Sequence, residues 1–237
     1  MLALDIGNTS IKYGQFEDGS EGEGPPNHGR IPNDGDLAAL PDAATVAAVS
    51  VHPRALARLR ERYPGLRAIG EEIPLPLAVS YDPPEDCGAD RIVGVFGALW
   101  LEADAEAVLL LDAGTCLTAT VAARDRGVLG GAIFPGSGLM ARSLSEHTAK
   151  LPRIDPIPPV AAVGSSTEQS IRSGIHHALV GGARELIRVL KAECDVPLRV
   201  VVAGTGAASL AEHVAEIDAV HAHATLVGVA HCLRANP

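Results

Sequence analysis

Leu4-Asp5-Ile6-Gly7-Asn8-Thr9-Ser10-Ile11-Lys12 joins two segments of different character. Met1-Leu2-Ala3-Leu4 is an apolar run of strand length that ends on an acid. After the Gly-Asn-Thr-Ser turn, Ile11-Lys12-Tyr13-Gly14-Gln15-Phe16 alternates apolar and polar. The pattern predicts a β-hairpin whose turn carries a carboxylate, a glycine and small polar side chains. Such a turn offers backbone N–H groups to an anion and a carboxylate to a cation. An Asx-type hairpin turn with no ligand has the same residue preferences.

The stretch Val108-Leu109-Leu110-Leu111-Asp112-Ala113-Gly114-Thr115-Cys116-Leu117-Thr118-Ala119-Thr120-Val121 repeats the design. An apolar strand again ends in Asp, a small residue and Gly precede a hydroxyl-bearing turn, and an alternating strand follows. Leu4-Asp5-Ile6-Gly7 aligns with Leu111-Asp112-Ala113-Gly114, about one small domain apart, so the chain reads as an internal duplication. Two such hairpins facing one another across a cleft would hold different parts of a nucleoside triphosphate's phosphate chain.

Between the repeats, Ala44–Val51 reads as a buried strand and Pro53–Arg62 as a basic amphipathic helix. Arg54, Arg58 and Arg62 share a face at four-residue spacing, as a solvated face would also have them. The polar stretch from Glu17 to Asp36 reads as a surface loop, with room for a short edge strand. Asp36–Leu40 reads as a short helix, and Leu66–Ile69 as another strand. A proline-punctuated connector then leads to Gly88-Ala89-Asp90-Arg91, which opens a helical pattern through Ile92, Val93, Phe96, Leu99 and Trp100. Asp90 in the first turn suits the helix dipole. It equally suits a catalytic carboxylate beside an anion-binding arginine.

Beyond the second hairpin, Val128–Phe134 leads through Pro135-Gly136-Ser137-Gly138 into a helix. The glycines permit close backbone approach to a ligand. Ser137 lacks the G-x-S-x-G frame of a hydrolase elbow. A proline-punctuated loop spans 150–159. Ser166 or Thr167 can cap the long apolar pattern from Ile171 to Leu190, and that helix start also attracts anions. Leu198–Val202 reads as a strand entering Ala203-Gly204-Thr205-Gly206, followed by a helix over 208–214, a strand over 219–221 and a closing helix.

Length and charge bound the rest. The 237 residues can bury a sizeable core, as one large domain or two small ones. A formal net charge of -10 argues against nucleic acid and anionic membranes as partners. Apolar runs stay strand-length and Asp5 interrupts any leader-like start, so a cytoplasmic protein is expected. Cys87, Cys116, Cys194 and Cys232 form no C-x-x-C pair, which points to reduced thiols. His221 and His223 would share one face of a strand, an arrangement that permits metal binding or simple packing.

Asp5-Ile6-Gly7-Asn8-Thr9, Gly88-Ala89-Asp90-Arg91, Asp112-Ala113-Gly114-Thr115, Gly131 with Pro135-Gly136, and Thr167 before Ser173-Gly174 together resemble the ordered motifs of type III pantothenate kinases. That family belongs to the acetate and sugar kinase, heat-shock chaperone and actin superfamily. The similarity runs from Met1 to Leu226-Val227-Gly228. It implies an α/β fold of two duplicated ribonuclease-H-like domains, residues 1–103 and 104–237, with mixed sheets flanked by helices and an active-site cleft between them. It also implies a homodimer with the pantothenate site near the subunit interface.

Carried over by motif, the resemblance implies that Asp5, Ile6, Gly7, Asn8, Thr9, Ser10, Ile11, Lys12 and Thr115 bind ATP, with Asp5 helping to hold Mg²⁺. Gly88, Ala89, Asp90 and Arg91 would contact pantothenate, Asp90 as base for its primary hydroxyl and Arg91 near its carboxylate. Tyr81 and Thr167 match further substrate contacts. Asp112 resembles the ligand of the monovalent cation, K⁺ or NH₄⁺. The implied activity is ATP-dependent phosphorylation of pantothenate to 4′-phosphopantothenate, the first step toward coenzyme A. An inactive accessory or regulatory relative keeps the same fold, but has no need of four charged residues that are costly to bury without ligands. A sugar kinase, acetate kinase or polyphosphate hydrolase would share the two Asp-x-Gly turns without accounting for Gly88 to Arg91 or Tyr81. Ala203-Gly204-Thr205-Gly206 departs from the family's more usual Thr-Gly-Gly.

Overall fold

A computed structural model describes residues 1–17, 24–155 and 161–237. The polar stretch after Glu17 and the proline-punctuated stretch after Lys150 therefore lie partly outside the described residues.

The opening hairpin is β1 (Leu2–Ile6) and β2 (Ser10–Gln15), paired so that Asp5 lies opposite Lys12. An edge strand, β3 (Asn27–Pro32), continues the antiparallel ladder and places Arg30 opposite Lys12. On the other side β4 (Val46–Ser50) and the two-residue β5 (Arg67–Ala68) run parallel, giving the order β3-β2-β1-β4-β5. The parallel step from β1 to β4 needs a crossover, and the long stretch holding β2 and β3 supplies it. Asp36 caps a single 3-10 turn over Leu37–Ala39, accepting from Ala38 N at 2.9 Å, where a short helix is expected.

The second half repeats this order. Strands β6 (Ala107–Ala113), β7 (Cys116–Ala123) and β8 (Gly127–Pro135) form the antiparallel set. They are followed by the parallel pair β9 (Leu198–Ala203) and β10 (Ala219–Val220). The sheet reads β8-β7-β6-β9-β10, strand for strand the plan of the first. These are two mixed five-stranded ribonuclease-H-like sheets, as the family resemblance implies, and they carry the duplication that the two Asp-x-Gly turns predict.

The helices follow from the apolar stripes. Helix α1 (Pro53–Arg62) has proline at its first turn and covers one face of the first sheet, with Leu56 and Leu59 against Leu2, Leu4 and Ile6. Helices α4 (Thr167–Glu193) and α5 (Ala207–Ala211) cover the outer face of the second sheet through Val180, Ala183, Ile187 and Leu210. Helix α3 (Ser137–Glu146) joins α4 in a satellite core around Ala141, Ile171 and Ile175. α5 is shorter than its sequence pattern predicts.

Two helices lie between the sheets. Helix α2 (Ala89–Leu101) packs Ile92, Val95 and Leu99 on the second sheet, and the last helix, α6 (Ala224–Ala235), returns to lay Leu226 and Val229 on β1 and β4 of the first. They cross on glycines: a Cβ at Gly97 would sit 1.9 Å from the Ala224 carbonyl oxygen, and one at Gly228 would sit 2.2 Å from that of Val93. Backbone-to-backbone contact at this crossing holds the hairpin turns of the two sheets over one opening.

His221 and His223 do not share a strand face. β10 ends at Val220; His221 Nε2 lies 2.7 Å from Glu102 Oε1, and the His223 ring packs 4.2 Å from that of His28. Among the described residues no group of His, Cys, Asp or Glu is arranged to hold a metal without further ligands. No helix among them is long and apolar enough to cross a membrane.

Candidate active site

The two Asp-x-Gly turns meet. The Thr9 and Thr115 hydroxyls are 3.0 Å apart across a cleft of about 350 Å³. Each turn is held by its own backbone: Gly7 N–H donates to Ser10 O at 3.1 Å and Gly114 N–H to Cys116 O at 2.9 Å. Asn33 adds a side-chain bond to Gly7 O at 2.9 Å. The second turn is buttressed more tightly. Gly206 N–H and Gly136 N–H donate to Ala113 O and Thr115 O, and a Cβ at Gly136 would clash with both Gly114 O and Thr115 O.

The copies differ in charge, and the ladder explains how. Asp5 lies opposite Lys12, whereas Asp112 lies opposite Thr118. Lys12 Nζ donates to Asp5 Oδ2 at 2.9 Å, so the first carboxylate has an internal cation. The second has none in its hairpin: Asp112 opens on the cleft, but its Oδ1 is sealed from solvent and has no hydrogen-bond partner among the described residues. Burial pushes the Asp112 carboxyl above the usual carboxylate range, Lys12 draws it back, and Asp5 and Asp90 reinforce the rise. Burial also disfavours the Lys12 ammonium, but the carboxylates of Asp5, Asp112 and Asp90 outweigh it and hold the amine firmly protonated. A buried anionic oxygen left unpaired is costly. The unpartnered Oδ1 therefore fits a bound cation at Asp112, beyond the partial offset that Lys12 supplies.

The acceptor side comes from the start of α2. Gly88 is the N-cap, with no side chain of its own to cap the helix, and Asp90 Oδ1 instead accepts from Arg91 N at 2.9 Å. A Cβ on Gly88 would lie 2.6 Å from that oxygen, so only glycine lets the carboxylate fold back there. Burial, then the Asp5 charge, raises the Asp90 pKa, while Arg91 and Lys12 partly offset the rise. Arg91 is buried and fixed: Nη1 donates to Tyr81 Oη at 2.6 Å, Nε to Thr120 Oγ1 at 3.1 Å and Nη2 to Ala119 O at 3.4 Å. Gly131 is required beside it, because a Cβ there would meet Arg91 Nη2 at 2.9 Å and Ala119 O at 1.9 Å.

Of the residues singled out in sequence, Asp5, Gly7, Asn8, Thr9, Ser10, Lys12, Gly88, Asp90, Arg91, Asp112 and Thr115 line this cleft. Ile6 and Ile11 belong to the same turn, but their side chains are fully buried toward α1, leaving only backbone for a ligand. Ala89 is half-buried in the first turn of α2, and Tyr81, outside the cleft lining, accepts a hydrogen bond from Arg91. Thr167 stands apart: exposed at the first position of α4, it does not line the cleft of its own chain.

Thr205, in the turn the sequence marks as open to a ligand, also faces the cleft, whereas sequence reasoning overlooked Arg30, Asp86, Thr118, Thr120 and Thr225, which face it too. For β7 the signal was present. Cys116, Thr118 and Thr120 alternate with Leu117, Ala119 and Val121, so a polar face of period two turns from the core toward the ligand. A second hollow of about 220 Å³ adjoins the cleft, sharing Gly114 and Thr205 and lined also by Gly136 and Gly206.

Two duplicated ribonuclease-H-like lobes bring both Asp-x-Gly turns and an acid from the start of an interlobe helix to one cleft. The same fold occurs in an inorganic polyphosphate/ATP-glucomannokinase from Arthrobacter sp. strain KM, at a TM-score of 0.55 and 14% identity over 100% of this chain and 99% of that one. It occurs also in a ROK family glucokinase from Streptomyces griseus, at 0.54 and 13% over 99% of both. The chain belongs to the type III pantothenate kinase family, whose sequence model matches residues 1–189. Proteins so named are similar along most of their length: 37% identity to that of Thermus thermophilus, covering 86% of this chain and 87% of the relative. That of Dehalococcoides mccartyi is 32% identical, covering 97% and 95%.

Proposed function

We propose that this protein transfers the γ-phosphoryl group of ATP to the primary hydroxyl of pantothenate, producing 4′-phosphopantothenate for coenzyme A synthesis. The observation that carries the reading is the convergence of Asp90 and Arg91 with both Asp-x-Gly turns in one cleft. Phosphoryl transfer rests on positioning and charge neutralisation more than on covalent help. The first turn, from Asp5 to Lys12, and Thr115 bind the phosphate chain, and the adjoining glycine-lined hollow takes the nucleoside. Arg91, locked by Tyr81 and Thr120, presents its charge to the pantothenate carboxylate, so the primary hydroxyl points to Asp90. The hydroxyl oxygen bonds to the γ-phosphorus as the bond to the bridging oxygen breaks. The proton passes to Asp90, and ADP leaves.

Asp5 would hold Mg²⁺ and Asp112 a K⁺ or NH₄⁺ ion; both would supply positive charge against the phosphates. The sealed, unpartnered Asp112 Oδ1 supports the second assignment. The protein works as a cytoplasmic homodimer, and Thr167 joins a pantothenate site near the subunit interface. Its position outside its own chain's cleft is in keeping with that role.

The test is a coupled assay of ADP release with pantothenate, ATP, Mg²⁺ and either K⁺, NH₄⁺ or Na⁺. Pantothenate-dependent turnover that requires K⁺ or NH₄⁺ is expected. Absence of turnover in every salt would overturn the assignment.

A further inference from the structure

We propose that Arg30 binds the phosphate chain of the nucleotide at the end remote from the acceptor, gripping the oxygens that leave with the diphosphate. This rests on the nucleotide-dependent reading of the cleft, but not on pantothenate as acceptor.

The ladder places the residue. Val49, Asp5, Lys12 and Arg30 are successive cross-strand partners on β4, β1, β2 and β3, so their side chains rise from the same face of the first sheet. The acceptor segment lies at the β4 end of that row, where a Cβ on Gly88 would be 3.9 Å from Val51. Arg30 occupies the opposite end, beyond Lys12, and lines the cleft.

The charges say what it is for. The cleft is lined by four carboxylates, Asp5, Asp86, Asp90 and Asp112, and by three cations, Lys12, Arg30 and Arg91. Lys12 is engaged by Asp5. Arg91 is engaged by Tyr81, Thr120 and the Ala119 carbonyl. The Arg30 side chain is exposed and has no ion pair or hydrogen bond among the described residues. A nucleoside triphosphate brings several negative charges into a cleft whose own carboxylates repel it. An arginine with its planar donor fork unclaimed matches phosphate oxygens in two parallel hydrogen bonds. Arg30 belongs with the diphosphate because Lys12 stands between it and Asp90.

Direct titration with a fluorescent ADP analogue separates this idea from the identity of the acceptor, because it needs no pantothenate. Arg30→Gln is expected to weaken ADP binding about tenfold, the loss of one charge-assisted contact. Arg30→Lys should recover part of that loss, since it restores charge without the fork. In the coupled assay the KM for ATP should rise by a similar factor while that for pantothenate stays within about twofold. If the wild-type protein binds ADP but turns over no pantothenate, the fall in ADP affinity alone still supports Arg30. Unchanged ADP affinity in Arg30→Gln, or a rise confined to the pantothenate KM, would overturn the proposal.

Discussion

The Thr9 and Thr115 hydroxyls lie 3.0 Å apart, one on each copy of the duplicated turn, 106 residues apart in the chain. Their contact marks where the two lobes meet at the cleft. Both are accessible enough that the bond itself adds little stability. Thr9→Val or Thr115→Val should therefore change the denaturation midpoint by under about 1 kcal/mol in equivalent stability. Each should raise the KM for ATP severalfold. The double variant should fall short of the product of the two effects, since each loses the same neighbour. Full multiplicativity in steady-state kinetics would show that the hydroxyls act independently.

Asp90, the proposed base, sits in an environment that disfavours its charge. Burial and the Asp5 carboxylate raise its pKa above that of a free aspartate. The deprotonated form is needed to accept the hydroxyl proton, so kcat/KM should fall as pH drops through this raised value. The acid limb of the pH–rate profile should lie above the ordinary carboxylate range. Asp90→Asn should lower kcat by roughly 10²–10⁴-fold and abolish that limb. An unaltered limb in the variant would assign it to another group.

Asp112 lets the proposed cation site be examined without turnover. Burial holds its pKa above the unfolded value, so the ligand-free native state binds more protons than the unfolded chain through that interval. Stability then declines as pH rises through the native pKa, and the penalty is complete above it. Asp112→Asn should raise the melting temperature of the ligand-free protein at pH 7 by about 2–4 °C, the shift that roughly 1 kcal/mol produces in a chain of this size. The gain should shrink as the pH falls through the raised native pKa. Dependence of activity on K⁺ or NH₄⁺ should disappear in the same variant.

The α2–α6 crossing has no room for a methyl group. Gly97→Ala would drive a Cβ into the Ala224 carbonyl and the Gly228 amide, at 1.9 and 2.8 Å. A loss of about 3 kcal/mol is expected in urea denaturation. Gly65→Ala, at a position with nothing within 4 Å of the added carbon, should stay within about 0.5 kcal/mol of wild type. Equal effects at the two positions would contradict close helix crossing.

Much of this molecule was legible locally. The apolar runs ending at Asp5 and Asp112 and the alternation after each turn depend on near neighbours in the chain. Both hairpins and the duplicated sheet order follow from them. Helices α1 and α2 announced themselves by proline and apolar spacing, because capping and amphipathicity are properties of a few consecutive residues. The ordered motifs also singled out Asp90 and Arg91, and both line the cleft.

Other features depend on residues far apart in sequence. That α6 turns back onto the first sheet follows from Gly97 and Gly228 fitting together, and neither glycine reveals its partner from its own surroundings. Arg30 looked like part of a polar loop until pairing across β2 set it beside Lys12. Thr120 looked like an ordinary strand residue until folding brought it to Arg91. Asp5 and Asp112 are near-identical in local sequence, yet one is neutralised by a lysine across its ladder and the other faces a threonine. Periodicity and turn chemistry are short-range and can be read along the chain, whereas charge pairing, burial and close backbone approach exist only between segments that folding brings together.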